Sequence, residues 1–160
     1  MPITFSAKPE RIEDFEYELR ATGMRAEHLF PVMDEIVDKI LERNQRAFDT
    51  RGASTGRYWA PLKKATIERK QRLGVSDPFA PLRRTDKLMA SLSERHAEHQ
   101  ILEVEDDGFY LSTDLPYAPI HASGDGDRMP ARPPLVVPKS HVDEYMKMIK
   151  DYVIFGETDA

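Results

Sequence analysis

Cysteine is absent from this 160-residue sequence, which excludes disulfides, thiolate metal sites and cysteine nucleophiles. No apolar run approaches the ~20 residues that a membrane-spanning helix needs. The first ten residues do not combine a basic start with an apolar stretch, so we expect no secretory signal. Neither a Gly-x-Ser-x-Gly elbow, a His-Glu-x-x-His pair nor a phosphate-binding glycine loop is present. We therefore expect a protein that is not an enzyme, has no cofactor and binds no membrane.

Histidine is the remaining source of a metal site, with five residues in the chain. His96, His99 and His121 could supply three imidazoles to one ion. A His-x-x-His pair shares one face only on a helix, however, and this pair lies where a predicted helix gives way to a strand. Asp125 and Asp127 have the spacing of calcium ligands, but the carboxylate at the twelfth position of a calcium loop is missing. We therefore expect no metal site.

Charge of the two signs is separated along the chain. Residues 51–95 carry eleven Lys/Arg against four Asp/Glu, a net +7, and the other residues carry twelve against twenty-four, a net −12. Such asymmetry favours a polar partner, or like subunits that meet basic face to acidic face. A solvated surface without any partner explains it equally well.

Apolar periodicity predicts helices in the N-terminal part of the chain. Pro9, followed by Glu10, Glu13 and Asp14, is typical of a helix start, and we expect this helix to end near Ala21. The next helix is expected to begin near residue 26 or 31 and to end at residue 48, because apolar side chains recur there every three or four residues. Its apolar stripe comprises Leu29, Met33, Ile36, Val37, Ile40, Leu41, Asn44, Ala47 and Phe48.

Shorter elements follow a glycine-containing loop at residues 51–58. Residues 66–73 are predicted to form a helix closed by Gly74, and Thr85 is expected to cap a short helix that carries Leu88, Met89 and Leu92. Residues 101–105 and 109–111, separated by an Asp-Asp-Gly turn signal, predict a β-hairpin. Residues 116–122 predict a short turn or helical piece.

The C-terminal part combines a loop and a last helix. Glycine and aspartate at residues 124–127 predict a flexible loop, and four prolines hold residues 130–138 extended. Ser140 and Asp143 predict a capping pair for a helix whose apolar stripe is Val142, Met146, Ile149 and Val153. We expect the tail after residue 156 to be frayed. Residues 3–5 predict a short strand at the other end of the chain.

The elements together predict an α+β fold. A long N-terminal helix and a C-terminal helix should pack on a small antiparallel β-sheet. Without repeats or a visible boundary, residues 1–160 are expected to form a single domain, with a flexible arm at about residues 122–135.

A basic stretch is the best candidate for binding nucleic acid. Its side chains are Lys63, Lys64, Arg69, Lys70, Arg72, Arg83, Arg84 and Lys87, and Tyr58 and Trp59 nearby would be able to stack on bases. Against this hypothesis, the chain as a whole is acidic, with a pI near 5.6. A small nucleic-acid-binding protein is thus the alternative function.

Four sequence blocks carry a resemblance to a known family. Residues 58–62 with Thr66 and Lys70 are similar to a run of tryptophan, proline-leucine, threonine and lysine, and residues 82–92 are similar to a leucine-x-x-threonine-glycine-x-leucine-x-x-serine stretch. Residues 117–121 and 129–135 match a tyrosine-alanine-x-isoleucine-histidine element and a proline-alanine-arginine-proline element. In this order, the blocks resemble the virion morphogenesis, or tail-completion, family of tailed bacteriophages.

That resemblance implies a structural subunit of the virion, made in the host cytoplasm and placed at the neck or tail. It implies a homo-oligomeric ring, six-fold by expectation, that completes the head-proximal end of the tail or joins the tail to the capsid. Its partners would be neighbouring neck and tail proteins, with non-specific contact to DNA that passes through the ring.

Five residues of these blocks are expected at a subunit or partner interface: Trp59, Arg83, Arg84, His121 and Arg132. Trp59 is also a natural core residue, and His121 is able to bond a backbone carbonyl. Arg132 lies close to prolines that hold the chain extended, so its guanidinium is expected to be exposed as a fork for a carboxylate of a partner. Asp86 replaces the glycine usual in the second block, from which we expect that the backbone there need not be left-handed.

Overall fold

The computed structural model describes residues 9–157, and the fold is α+β as predicted. The helices are α1 (Pro9–Glu27), α2 (Phe30–Asp49), α3 (Lys64–Arg72), α4 (Lys87–Ser93), α5 (Ala118–Ser123) and α6 (Lys139–Phe155). The strands are β1 (Gln100–Glu105) and β2 (Gly108–Thr113), and a 3₁₀ turn spans Ala53–Thr55. The strand predicted at residues 3–5 lies outside the described residues.

Helix α2 is the centre of the molecule. Its buried residues are Val32, Met33, Ile36, Val37, Ile40, Leu41, Asn44, Ala47 and Phe48. The predicted stripe is thus confirmed from Met33 onward, with Val32 added and Leu29 partly buried at its edge. Since α2 is apolar along its whole length on one face, it is able to support two separate groups of packing partners.

Each half of α2 belongs to a different core cluster. The first half packs with Tyr145 of α6 and with Val104 and Leu111 of the hairpin. The second half places Phe48 against Trp59, with α4, Leu115 and Ala118 around them. The second cluster lies under the segments that carry the sequence blocks, whereas the first lies under the C-terminal helix.

The predicted hairpin is confirmed. Strands β1 and β2 pair antiparallel from Gln100 opposite Thr113 to Glu105 opposite Gly108, so that Asp106 and Asp107 form the turn. Leu102, Val104 and Leu111 are partly shielded, because one face of this hairpin packs on α2 and α4.

Helix α1 continues through Gly23 to Glu27, so the end expected near Ala21 is wrong. Arg25 supplies the reason, because its Nε donates to the carbonyl of Val153 at 2.9 Å and its Nη2 to that of Ile154 at 2.9 Å. These bonds attach the last turns of α1 to the end of α6. The contact outweighs the ~1 kcal/mol by which glycine disfavours a helix interior.

Two expectations for α6 are also wrong. Ser140 does not cap it, since the helix begins at Lys139 after an extended Pro138 and has no side-chain cap. Val142 and Met146 are 44% and 60% exposed, and the side chains that pack inward are Tyr145, Met148, Ile149 and Tyr152. A tyrosine buries more area than a methionine, and Tyr145 is further held by a 2.8 Å hydrogen bond from Arg43, which fixes the rotation of the helix.

None of the helices within residues 9–157 has the length and apolarity needed to cross a membrane.

Candidate functional site

The four sequence blocks converge on one groove of about 830 Å³. Its lining comes from residues 61–73, 80–88, 115–121 and 128–132, together with His99. A groove of this volume is in the range of protein binding sites. Segments far apart in sequence therefore build one surface, which makes it the candidate site.

The lining of the groove is basic. Its cationic residues are Lys63, Arg69, Lys70, Arg83, Arg84, Lys87, Arg128 and Arg132, and no Asp or Glu is among the described residues that line it. Apolar side chains such as Leu62, Leu82, Leu88 and Leu115 lie between them. The groove is thus suited to a partner that is both acidic and apolar.

Lys70, the lysine of the first block, is a structural residue. Its side chain is 6% exposed, and its Nζ donates to the carbonyl oxygens of Asp77 at 3.1 Å and Ala80 at 2.7 Å. Burial lowers the pKa of this amine. These two bonds hold the loop after α3 against the helix, because buried carbonyls without a donor are costly.

Arg132 is buried, so the exposed fork expected from its sequence context is wrong. The residue is 5% exposed. Its Nε donates to the carbonyl of Ala60 at 2.7 Å and its Nη2 to that of Pro61 at 3.1 Å. Its own backbone N–H donates to the carbonyl of His121 at 2.7 Å. Its guanidinium therefore donates to the carbonyls of residues 60–61, which have no β-strand partner within the described residues. Through these bonds and its own backbone N–H, Arg132 connects three of the four sequence blocks within one chain.

Trp59 is a core residue. It is 3% exposed, its ring meets Phe48 edge-on at 5.3 Å, and its Nε1 donates to the carbonyl of Pro133 at 3.2 Å. A side chain so enclosed has no face on which a base or a partner residue would stack. Tyr58, in contrast, is 67% exposed.

His121 lies half-buried at the groove, beside the ring of Tyr117. Its Nδ1 is buried and has no hydrogen-bond partner among the described residues, so the expected bond to a carbonyl is not formed by that atom. Burial and the neighbouring positive charge of Arg132 lower the pKa of this imidazole. The ring is thus neutral near neutral pH.

Arg83 and Arg84 differ although they are adjacent. Arg83 is partly shielded and pairs with Asp86 at 3.0 Å and with Asp49 at 3.3 Å, which ties α4 to the end of α2. Arg84 is exposed and, like Arg69, makes no ion pair within the described part of the chain. Arg69, Arg84 and Arg128 are therefore exposed cations of the groove that make no ion pair among the described residues.

Asp86 has a left-handed backbone, with φ of 56°, so the expectation that this position need not be left-handed is wrong. Aspartate tolerates this conformation better than most residues, and its carboxylate is held by Arg83. The residue also takes the N-cap position of α4 that was expected of Thr85. Asp86 thus has a left-handed backbone conformation of the kind that glycine adopts readily.

The other sequence candidates do not assemble into a site. His99 contacts Asp114 at 2.8 Å, but residues 9–157 contain no group of three or more potential ligands placed to hold a metal ion. The loop at residues 124–129 is closed by a bridge between Asp125 and Met129. A side chain at Gly124 would meet the backbone of Met129 and Ala131 at 2.8 Å, which explains the glycine there.

A family model described as the phage virion morphogenesis family matches residues 8–154. No curated protein and no solved structure matches the chain. The matched range includes every residue that lines the groove.

Proposed function

This chain belongs to the phage virion morphogenesis family, and we propose that it is a ring-forming structural subunit at the head-proximal end of the tail. Family membership gives the chain a role in virion structure or assembly. The ring, its six-fold symmetry and its position at the neck are our proposal. In this role the chain would contact neighbouring neck and tail proteins and would act by binding, without turnover.

The observation that carries the proposal is the basic groove on a chain that is acidic elsewhere. Among the described residues, the groove is lined by eight cations and no acid, while the net charge of the chain is −5. Two different surfaces of opposite charge on one subunit favour head-to-tail contacts between copies. Head-to-tail contacts generate rings when the rotation between neighbours closes.

The side chains of the groove also favour binding over catalysis. Lys70 and Arg132 are engaged by backbone carbonyls, and Arg83 by two carboxylates. Within residues 9–157, His121 has no carboxylate partner that would orient it as a base. These groups stabilise the walls of the groove and leave exposed cations such as Arg69, Arg84 and Arg128 for a bound partner.

The test is an image of the assembled particle. Electron microscopy of virions or isolated tails should show a symmetric ring of this chain at the head-proximal end. A variant that carries Arg69→Glu and Arg84→Glu should fold and yield few joined particles. Arg72→Glu is the matched control, because Arg72 is an exposed cation of the same helix that does not line the groove. A single copy per particle would overturn the proposal.

A second candidate function is binding of nucleic acid by the basic segment at residues 51–95. The specific observation in its favour is the cluster of cations in the groove. Measurable affinity for DNA at physiological salt, with a steep fall as salt rises, would support it. Since Trp59 is enclosed, stacking on that residue is not available to such a complex.

A further inference from the structure

Much of helix α1 stays open to solvent within the described part of the chain. Every residue from 13 to 20 is exposed. Phe15, Tyr17 and Leu19 are 63%, 71% and 56% exposed. Most of the stability of a protein helix comes from packing one of its faces on another element. This part of α1, which we call the arm (residues 13–19), therefore has an apolar surface that the other described residues leave uncovered.

Contacts with the described residues attach the arm at its C-terminal end. Arg25 binds the last carbonyls of α6, and the hydroxyl of Tyr152 donates to the carbonyl of His28 at 3.2 Å. Within the described residues, no side chain from 13 to 21 makes a hydrogen bond or an ion pair. Contacts with α6 thus fix the orientation of α1, while the first half of α1 stays accessible to another molecule.

The chemistry of the arm is acidic and apolar. Phe15 and Leu19 are four residues apart, so they lie on one face of the helix. Glu16 and Glu18 flank that face, and residues 13–19 contain four acids and no base. The arm therefore presents an apolar stripe with carboxylates on both sides.

The groove has the complementary chemistry. Leu62 and Leu82, which are partly exposed, give it an apolar surface, and Leu73 at its lining is 58% exposed. Arg69 and Arg84 are cations without ion pairs among the described residues. None of the described residues of α1 or α6 lines the groove, so the arm of the same chain does not fill it.

We propose that the arm of one copy lies in the basic groove of the next copy. The apolar stripe would pack on the leucines, and Glu16 and Glu18 would face Arg69 and Arg84, as an amphipathic helix binds in a groove. A second copy is the partner that the observations favour, because the same chain carries both complementary surfaces. The contact is head-to-tail, and it rests on the proposed ring function, which it deepens by assigning the interface.

The absence of cysteine makes a direct test possible, since every thiol is then an introduced one. One full-length variant carries Leu19→Cys and a second carries Leu73→Cys, and the two are mixed under oxidising conditions. The control mixture replaces the second with Tyr110→Cys, which is equally exposed at 58% but lies on β2. Docking raises the effective concentration of the paired thiols, so we expect about tenfold more mixed disulfide than in the control.

A charge exchange gives an independent readout. Glu16→Arg with Glu18→Arg should abolish the cross-link, and so should Arg69→Glu with Arg84→Glu. Combining all four changes in one chain should restore at least part of it, because opposite charges again face each other.

The outcomes separate the interface from the function. A ring in particles, with no mixed disulfide above the control, would overturn the arm-in-groove contact and leave the ring function standing. Absence of a ring would overturn the function itself. A dominant disulfide between two Leu19→Cys chains would indicate a two-fold contact and would also overturn the proposal. Loss of DNA affinity in the Arg69→Glu, Arg84→Glu variant, with cross-linking unchanged, would assign the groove to nucleic acid.

Discussion

Two arginines in different regions of the molecule make the same pair of bonds in opposite surroundings. Arg132 donates to the carbonyls of Ala60 and Pro61 in the groove region, and Arg25 donates to those of Val153 and Ile154 where the terminal helices meet. Arg132 is almost wholly buried, whereas Arg25 is partly exposed. Water is able to replace Arg25 as a donor but not Arg132, and an unsatisfied buried carbonyl is what costs stability.

This contrast explains how the two regions are built. The groove region is made of short elements and loops, and it depends on enclosed polar side chains such as Lys70, Trp59 and Arg132. The terminal helices are long and regular, and α1 depends on few contacts. Substitutions in the groove region should therefore lower the stability of the whole fold, whereas substitutions at α1 should affect only the packing of that helix.

The largest effect is expected at α2, which both regions share. Ile40 is 4% exposed and packs in the cluster that contains Tyr145. Ile40→Ala should lower the free energy of unfolding by ~2–5 kcal/mol, because it leaves a cavity in a packed core. Urea denaturation measures this change, and Glu42→Ala on the exposed face is the control. An unchanged midpoint for Ile40→Ala would mean that α2 does not hold the two regions together.

Arg132→Ala should come next. It removes donors from two carbonyls that are closed off from water, so we expect a loss of about 2–4 kcal/mol in the free energy of unfolding. Arg132→Lys should recover only part of it, because an ammonium is a point donor and not a fork. Arg84→Ala, at an exposed cation of the same groove, should stay within ~0.5 kcal/mol. Equal effects of Arg132→Ala and Arg84→Ala would refute the structural role of Arg132.

Arg25→Ala should have a smaller and local effect. Its two bonds are partly exposed, and we expect a loss of roughly 1 kcal/mol that is confined to the docking of α1. Hydrogen exchange should become faster in α1 and in the last turn of α6 and stay unchanged in α4 and β2. Faster exchange throughout the groove region would show that the two regions are not independent in this way.

The sequence predicts those structural features that depend on local patterns, and it does not predict those that depend on contacts between distant residues. Helix α2 and the hairpin follow from period and turn chemistry, which are local properties, and both are confirmed. The left-handed Asp86 and the rotation of α6 are set by contacts with Arg83 and Arg43, which no local pattern contains. The burial of Arg132 was missed for a related reason, since the carbonyls that need it lie some seventy residues away. The backbone carbonyls at residues 60–61 need hydrogen-bond donors, and this need is the one signal that points to the burial of Arg132.

The smallest effect concerns pH and compares a histidine of each region. His121 has its pKa lowered by burial and by the nearby charge of Arg132. His141 on α6 has its pKa lowered by burial and by Arg43, while Glu144 acts in the opposite direction. Both rings bind a proton less readily in the folded protein than in the unfolded chain. The unfolded state therefore holds more protons below about pH 6.5, and stability should fall as pH drops through that value.

Denaturation midpoints between about pH 7.5 and 5.5 measure how steeply stability depends on pH. His121→Gln should flatten it more than His141→Gln does, because a carboxylate offsets the shift only at His141. A steeper slope in His121→Gln than in the parent would mean that the ring is charged in the folded protein, which is incompatible with an unpartnered Nδ1 beside Arg132.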